Sequence, residues 1–257
     1  MSMNYNPSSL SGKTILITGA SSGIGKATAI ECAKCGAKTV LVGRNKEKLD
    51  ITSEIIKSIG VSESLTFYGD MCHSDFIDTI ISEIRNIEVN GMVLCAGQTL
   101  ILPAAFTSVD RIMEMMDVNF ISNANLLQKS LKSKILKKGS SIVGVTSVLG
   151  IDGFMNGNTA YGVSKAAFES YLKYCALEFS SKNIRFNSVH PGSVDTPMLD
   201  MSSVTKEQLE SEINKIPLKR MADPSEIAKP ICFLLSDASS FITGSSLIID
   251  GGQHLKF

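Results

Sequence analysis

The first apolar run of the chain leads directly into a glycine-rich turn, Thr14-Ile15-Leu16-Ile17-Thr18-Gly19-Ala20-Ser21-Ser22-Gly23-Ile24-Gly25. The short run of β-branched and aliphatic residues at Thr14–Thr18 is typical of a buried strand, and the residues after the turn predict a helix. Strand, turn and helix in that order are the context of a phosphate-binding loop, because glycines let the backbone approach a pyrophosphate. Amide groups at the helix N-terminus face such an anion along the favourable end of the helix dipole. A glycine trio is often only a tight turn, but its place at the first strand-helix junction favours the phosphate site.

The same alternation of strands and helices continues to the C-terminus. Buried-strand patterns recur, with longer amphipathic stretches between them, at Thr39–Val42, Leu65–Tyr68, Met92–Cys95, Ser141–Val145, Ile184–Val189 and Ser246–Ile249. Such alternation indicates a parallel sheet covered on both faces and connected by right-handed crossovers. We therefore predict an α/β fold with a doubly wound, mostly parallel, seven-stranded Rossmann-like sheet. Because no linker or repeat divides the 257 residues, we expect a single domain over residues 1–257.

Composition excludes several classes of function. The chain has 25 basic and 25 acidic residues and no net charge, so nothing predicts binding to nucleic acid or to an anionic membrane. The first nine residues are polar, and the apolar run after them is too short for a signal peptide or a membrane span, so we expect a cytoplasmic protein. The six cysteines are irregularly spaced, as buried small hydrophobes are. The three histidines lack metal-ligand spacing, so we predict no catalytic metal.

Three polar side chains further along the chain have the spacing of a proton-transfer site. Tyr161 and Lys165 are four residues apart and project side by side on a helix, while Ser147 follows the predicted strand that ends at Val145. Because an ammonium near a phenol favours the phenolate, we expect the pKa of Tyr161 to lie below its usual value near 10. Such a phenol can exchange a proton near neutral pH. In the alternative interpretation, Tyr161 is simply packed, Lys165 is solvated and Ser147 only forms a turn.

These features occur in one order along the chain and resemble the short-chain dehydrogenase/reductase family. The resemblance covers Leu10 to Gly252 and includes the glycine-rich turn, Pro191-Gly192 and a catalytic set, Asn119, Ser147, Tyr161 and Lys165. It implies hydride transfer between a nicotinamide cofactor and a carbonyl or secondary alcohol, with the tyrosine as general acid or base. The serine is expected to hold the substrate oxygen, and the lysine to support the tyrosine and the nicotinamide ribose. The asparagine is expected to bend its helix and hold a water, whereas the alternative is an amide bonded to its own backbone.

The resemblance also implies a set of cofactor-binding residues: Gly19, Ser21, Ser22, Gly23, Ile24, Gly25, Arg44, Asp70, Ala96, Gly97, Tyr161, Lys165, Pro191, Gly192, Val194 and Thr196. In similar proteins the residue at Asp70 meets the adenine, although an aspartate at a strand exit is equally often a cap. Thr196 is expected to reach the nicotinamide carboxamide. Leu94-Cys95 replaces the usual Asn-Asn pair, which removes side-chain hydrogen bonds that steady the central strand.

The residues after the second strand favour NADP(H) over NAD(H). Gly43 stands where an NAD-binding chain usually has a carboxylate, and Arg44 follows it. A carboxylate would repel a 2′-phosphate, whereas a guanidinium can form two charge-assisted hydrogen bonds with one. An exposed loop arginine without a ligand is the alternative.

The substrate is expected to be a small-molecule carbonyl or alcohol, bound with the help of a loop region at about residues 195–219. An ordinary surface helix-turn-helix is equally compatible with that region. Apolar side chains recur through it, at Met198, Leu199, Met201, Val204, Leu209 and Ile213.

Motifs near the C-terminus resemble 3-oxoacyl-carrier-protein reductases, which gives one narrower alternative. A non-catalytic NADP-binding regulator is another. Aromatic residues on the Tyr161 helix indicate a homo-oligomer, a dimer or tetramer, unless they pack inside one subunit: Phe168, Tyr171, Tyr174 and Phe179.

Overall fold

A computed structural model describes residues 7–60, 64–198 and 205–256, without the side chains of residues 206 and 208. Within these ranges the strands are β1 (Thr14–Thr18), β2 (Lys38–Gly43), β3 (Leu65–Tyr68), β4 (Val89–Leu94), β5 (Leu136–Val145), β6 (Arg185–Pro191) and β7 (Ser246–Ile249). The α-helices are α1 (Gly23–Lys34), α2 (Lys46–Ser58), α3 (Ser74–Glu83), α4 (Val109–Met116), α5 (Ser122–Lys132), α6 (Thr159–Glu178), α7 (Lys206–Lys215) and α8 (Pro224–Leu235).

The seven strands form one sheet in the order β3-β2-β1-β4-β5-β6-β7. Every neighbouring pair runs parallel, from β1 with β2 to β6 with β7. The order reverses between β1 and β4, which is the position where doubly wound sheets open a crevice at the carboxyl ends of their strands. The predicted Rossmann-like fold is therefore confirmed.

The core lies in two layers, one on each face of the sheet. Along β1, Ile15 and Ile17 point into the layer that contains α1 and α8, and Leu16 points into the layer that contains α5 and α6. All three side chains are fully buried, as expected for a central parallel strand. Burial of each such side chain stabilises the fold by about 1.5–3 kcal/mol.

The expected substrate-loop region contains one described helix, α7, together with residues 195–198 and 216–219. Met198 is partly exposed, and Leu209 and Ile213 are half-buried. The other apolar residues noted in the sequence, Leu199, Met201 and Val204, lie outside the described residues. No helix in the described part of the chain is both long enough and apolar enough to cross a bilayer.

Candidate active site

The sequence-predicted residues converge at the carboxyl ends of four central strands. The glycine turn follows β1, Ala96 and Gly97 follow β4, Ser147 follows β5, and Pro191-Gly192 ends β6. Because parallel strands end at one edge of the sheet, residues far apart in sequence meet there.

The glycine turn lies tightly against the start of α1. A Cβ on Gly25 would lie 2.3 Å from the carbonyl oxygen of Gly19, so only glycine fits there. Ser22 caps α1 without a side-chain hydrogen bond, and the first helical turn contains no acidic residue. The first turn of α1 therefore presents its backbone N–H groups and the positive end of the helix dipole to the crevice, as a phosphate-binding turn requires.

Lys165 is a buried cation, only 4% exposed, on α6. Its Nζ donates a hydrogen bond to the carbonyl oxygen of Val145 at 2.9 Å, at the end of β5. Burial lowers the pKa of Lys165 to about 8, although the nearby Cys95 thiol opposes the shift. A Cβ on Gly97 would lie 3.3 Å from Nζ, so the backbone after β4 passes directly beside this cation.

Tyr161 lies beside Lys165, but its pKa shifts in the direction opposite to the expected one. Lys165 Nζ is 5.9 Å from the centre of the Tyr161 ring. Loss of hydration raises the pKa of Tyr161, because a phenolate in the crevice would be poorly solvated, and a hydrogen bond with Ser147 only partly offsets this. The residue as a whole is half-buried. The expected low pKa of Tyr161 is therefore wrong for this structure.

Ser147 is buried and oriented by its own loop. Its Oγ accepts a hydrogen bond from the backbone N–H of Leu149 at 3.1 Å. Because this bond uses a lone pair of the oxygen, the hydroxyl proton remains available to the Tyr161 oxygen or to another acceptor.

Asn119 is fully buried in a π-helical turn, Asp117–Ile121, between α4 and α5. Its Oδ1 accepts from the N–H of Gln98 at 2.8 Å, and its Nδ2 donates to the Gln98 carbonyl at 3.0 Å and to Ser164 Oγ at 2.9 Å. The amide thus joins the loop after β4 to α6, instead of bonding its own turn. The π-helical turn agrees with the bent helix that the resemblance implied.

A hydrogen-bonded pair that the sequence analysis missed replaces the absent asparagines after β4. Thr18 Oγ1 accepts the N–H groups of Cys95 and Ala96, each at 2.9 Å. Asn123 Nδ2 donates to the Ala96 carbonyl at 2.9 Å, and Thr18 Oγ1 donates to Asn123 Oδ1 at 3.2 Å. The one available signal was the spacing of Asn123, four residues after Asn119 on the same helical face.

Arg44 and Asp70 lie apart from the catalytic residues, after β2 and β3. Their closest atoms, Arg44 Nη1 and Asp70 Oδ2, are 3.9 Å apart, and the Arg44 side chain is 62% exposed. Asp70 Oδ1 accepts the N–H of Cys72 at 2.9 Å, and this bond, with help from Arg44, holds the pKa of Asp70 below its usual value. Asp70 closes a turn, but the N-cap of α3 is His73, so Asp70 is not a helix cap. Arg44 faces a carboxylate as well as solvent.

The segment after β6 closes the other side of the crevice. The N–H of Gly192 donates to the Ile249 carbonyl at 3.1 Å, which fixes the turn after Pro191. Val194 is buried and bridges to Ala222. Thr196 reaches the glycine turn, since a Cβ on Gly23 would lie 3.2 Å from its Cγ2.

The crevice fits a dinucleotide. The backbone at Gly19, Gly25 and Gly97 packs closely against neighbouring segments, and the N-terminus of α1 has no side-chain cap. Lys165 supplies a buried cation beside Gly97. In the described part of the chain, no group of three or more His, Cys, Asp or Glu side chains is arranged to hold a metal ion.

Comparisons with known proteins agree with this geometry. A family model described as enoyl-(acyl carrier protein) reductase matches residues 19–254. The 3-oxoacyl-[acyl-carrier-protein] reductase FabG of Thermotoga maritima is 35% identical over 246 residues, which are 95% of this chain and 98% of that protein. The FabG protein of Rickettsia prowazekii is 32% identical over 247 residues, with the same coverage of 95% and 98%.

A solved structure extends the match to three dimensions. A Beutenbergia cavernae protein whose crystal structure contains NADP at low occupancy is 28% identical, with a TM-score of 0.88 over 96% of this chain and 99% of that one. Motifs, fold and relatives agree along nearly the whole sequence. The chain belongs to the short-chain dehydrogenase/reductase family.

Proposed function

We propose that this protein is an NADP(H)-dependent oxidoreductase that interconverts a carbonyl and a secondary alcohol by hydride transfer, with Tyr161 as general acid and base. The observation that carries the proposal is the meeting of Tyr161, Lys165 and Ser147 beside Gly97, at the end of a dinucleotide crevice. When bound, the nicotinamide supplies or accepts the hydride.

Ser147 and Tyr161 handle the substrate oxygen. The Ser147 hydroxyl, oriented by the Leu149 N–H, donates a hydrogen bond to that oxygen and stabilises the charge that develops on it. Tyr161 then delivers a proton to the same atom. Its raised pKa keeps the phenol protonated at neutral pH, which is the form that carbonyl reduction needs.

Lys165 and Asn119 keep this end of the crevice in place. An ammonium has three donors, and one of them is used by the Val145 carbonyl, so others are free for the hydroxyl groups of a nicotinamide ribose. Asn119 holds the Gln98 backbone and Ser164 in fixed positions on either side of Lys165. The loop after β4 and helix α6 therefore keep one relative position.

Arg44 supports the choice of NADP(H) over NAD(H). A side chain at Gly43 would be crowded, since a Cβ there would lie 3.3 Å from the side chains of both Leu49 and Ser21. Arg44 is exposed enough to turn from Asp70 toward a 2′-phosphate, which offers it two charge-assisted hydrogen bonds. Asp70 is expected to remain beside the adenine end of the crevice.

A narrower function, 3-oxoacyl-acyl-carrier-protein reduction, is the second candidate. Two relatives that are 32–35% identical over nearly their full length carry that name. A non-catalytic NADP-binding regulator is not favoured, because such a protein has no use for a Tyr161 and Lys165 pair with intact spacing. As in the sequence analysis, we expect the enzyme to work in the cytoplasm on a small-molecule carbonyl or alcohol.

We further propose a homo-oligomer, a dimer or tetramer. Three of the four aromatics noted on and after α6 pack within the chain, since Phe168 and Tyr171 contact Phe120 while Phe179 contacts Phe186. The outer face of α6 nevertheless exposes Tyr174 and Leu177, at 64% and 74%. Apolar residues of α4, Val109 and Met113, are exposed as well. Light scattering of the purified chain distinguishes an oligomer from a monomer.

A carbonyl and alcohol panel, followed by absorbance of the reduced nicotinamide with both cofactors, tests the proposed function. The panel contains steroid, sugar, polyol and xenobiotic carbonyls and a 3-oxoacyl thioester. We expect turnover of at least one class, faster with NADPH than with NADH at low cofactor concentration. Tight NADPH binding without turnover of any substrate in either direction would instead indicate the regulator.

A further inference from the structure

A charged cluster around the buried His190 lies behind the catalytic residues and has no part in the chemistry proposed above. His190 is only 1% exposed and stands between two carboxylates. Its Nδ1 is 2.6 Å from Asp152 Oδ2, and its Nε2 is 3.1 Å from Glu169 Oε2. The second contact has the distance of an ion pair without the alignment of a hydrogen bond. Buried ionic groups are costly to keep, so their arrangement needs a physical reason.

Each member of the cluster belongs to a different catalytic element. His190 is the residue before Pro191 in β6, and Glu169 is one helical turn after Lys165 in α6. Asp152 lies in the loop after β5, five residues beyond Ser147. The three side chains therefore connect the strand, the helix and the loop that form the active-site end of the sheet.

The loop that presents Ser147 is fastened to β6 on both sides of that residue. The N–H of Thr146 donates to the Val189 carbonyl at 3.0 Å, and the N–H of Val148 donates to the Pro191 carbonyl at 3.1 Å. His190 lies between these two acceptors in sequence. The Val148 carbonyl then accepts the N–H of Asp152 at 2.9 Å. Asp152 thus closes a short turn whose far end is attached to the His190 ring.

The same loop packs against the catalytic helix. A Cβ on Gly150 would lie 2.3 Å from the carbonyl oxygen of Gly162, the residue after Tyr161. A shift of this loop therefore moves Ser147 relative to Tyr161 as well as to β6.

The two carboxylates favour the cationic form of His190. Both ring nitrogens face carboxylates, and the imidazolium carries a proton on each, although Nε2 also lies 3.3 Å from the hydroxyl oxygen of Ser188. Burial opposes this charge, but Glu169 and Asp152 together outweigh it and raise the pKa of His190. Burial likewise opposes the charge on Glu169, but its contacts with His190, Ser188 and Ser246 lower its pKa to about 2. On the outer side, Lys173 Nζ is 3.2 Å from Glu169 Oε1.

We propose that Asp152, His190 and Glu169 are positioning residues that hold the Ser147 loop in register with the helix that carries Tyr161 and Lys165. The proposal rests on the catalytic role proposed for Ser147. The arrangement is complete while both carboxylates are ionised and His190 is protonated. It is lost as the pH rises through the raised pKa of His190, because the buried Glu169 and the more exposed Asp152 then face a neutral ring.

The test compares Asp152→Asn with Asp152→Ala, because asparagine keeps a hydrogen-bond acceptor and removes only the charge. We expect Asp152→Ala to lower kcat by up to about a hundredfold, the scale of misplacing a reacting group by about 1 Å. Below neutral pH, Asp152→Asn is expected to keep most of the wild-type kcat. As the pH rises, its kcat is expected to fall at a lower pH than the kcat of the wild type does. The Kd for NADPH stays unchanged. Asp237→Asn, which removes a surface carboxylate paired with Lys13, is the matched control.

Two results of this comparison overturn the proposal. One is a wild-type kcat and pH profile in both Asp152 variants. The other is a lower free energy of unfolding with an unchanged pH profile, because a merely structural contact has that signature.

Two further measurements separate this proposal from the proposed function. In a Ser147→Ala background, Asp152→Ala is expected to cause no additional loss of kcat, and an additional loss of full size would contradict action through Ser147. The chain has only three histidines, so a ring NMR titration resolves His190, assigned by its loss in His190→Gln. We expect a His190 pKa above the usual 6.5 that falls in Asp152→Asn. A pKa at or below 6.5 would overturn the charged cluster, and this titration needs no turnover.

Discussion

The two ends of the crevice hold their cations in opposite ways. Lys165 is 4% exposed, and a backbone carbonyl, Val145, fixes its ammonium at 2.9 Å. Arg44 has a side chain that is 62% exposed and approaches its carboxylate partner only to 3.9 Å. Exposed pairs of this kind contribute between about 0 and 1 kcal/mol to stability. The buried cation is therefore committed to one position, whereas the exposed one is free to change partner.

In the proposed function, this difference separates chemistry from selectivity. Proton transfer needs groups held to fractions of an ångström, and the cluster of Asn119, Ser147, Tyr161 and Lys165 is the part of the crevice proposed to provide them. Discrimination between two cofactors needs only a charge that reaches a phosphate, which the rim formed by Arg44 and Asp70 can provide. Variants of the buried cluster are expected to change turnover or folding, and variants of the rim to change cofactor preference.

The largest effect is expected for Tyr161→Phe. Removal of the hydroxyl eliminates the proton donor, so kcat is expected to fall about a thousandfold or more, near the upper part of the range for general acid catalysis. Cofactor binding, measured by NADPH fluorescence, is expected to survive. Tyr174→Phe removes an exposed hydroxyl from the same helix and is expected to leave kcat unchanged. Retention of more than about a thousandth of the rate in Tyr161→Phe would break the proposed division of roles.

A smaller effect, a lower free energy of unfolding, is expected for Asn119→Ala. The substitution leaves the N–H and carbonyl of Gln98 without this partner, while the hydroxyl of Ser164 keeps its hydrogen bond to the Tyr161 carbonyl. Each buried polar group that stays unpaired costs about 1–3 kcal/mol, so the free energy of unfolding in urea is expected to fall by at least that amount. Asn86→Ala, at an exposed loop position before β4, is the control. Equal stability of the two variants would mean that Asn119 does not fasten the loop after β4.

The smallest effect is expected at the rim. Arg44→Ala is expected to raise the KM for NADPH by roughly 10- to 100-fold, since hydrogen bonds to charged groups contribute about 1.5–3 kcal/mol. The KM for NADH and the kcat with either cofactor are expected to change little. Arg111→Ala is a matched control, because that arginine is also exposed, at 58%, and also paired with a carboxylate. Equal increases for NADPH and NADH would remove the selectivity role of Arg44.

Much of the fold was predictable because buried strands have a strong local pattern. The bounds of β1, β3 and β7 match the sequence prediction residue for residue. β5 begins at Leu136, five residues before the predicted start, because the exposed segment Lys137-Lys138-Gly139 resembles a loop. β4 likewise begins at Val89 instead of Met92, and its register with β5 shifts between Val89 and Gly91.

The candidate site was predictable as a set of residues, but not in its electrostatics. The spacing of Tyr161 and Lys165 on one helix indicates that they are neighbours, but it does not indicate how well the Tyr161 hydroxyl is hydrated. The raised pKa of Tyr161 depends on burial of the hydroxyl, which only the packed structure reveals. Contacts between distant segments were also hidden: Thr18 and Asn123 are 105 residues apart, and Asp152 and His190 are 38 apart.

The pH dependence of kcat in both directions, at saturating cofactor and substrate, tests most directly whether the buried cluster transfers the proton. Tyr161 loses its proton only at alkaline pH, and Lys165, with a pKa near 8, loses its charge as the pH rises. A general acid must be protonated and a general base deprotonated. We therefore predict that carbonyl reduction falls in the alkaline range and that the ratio of oxidation to reduction kcat rises there, by up to about tenfold per pH unit, because loss of the His190 charge affects both directions alike. Reduction that stays level or increases through the alkaline range would contradict the assignment of Tyr161.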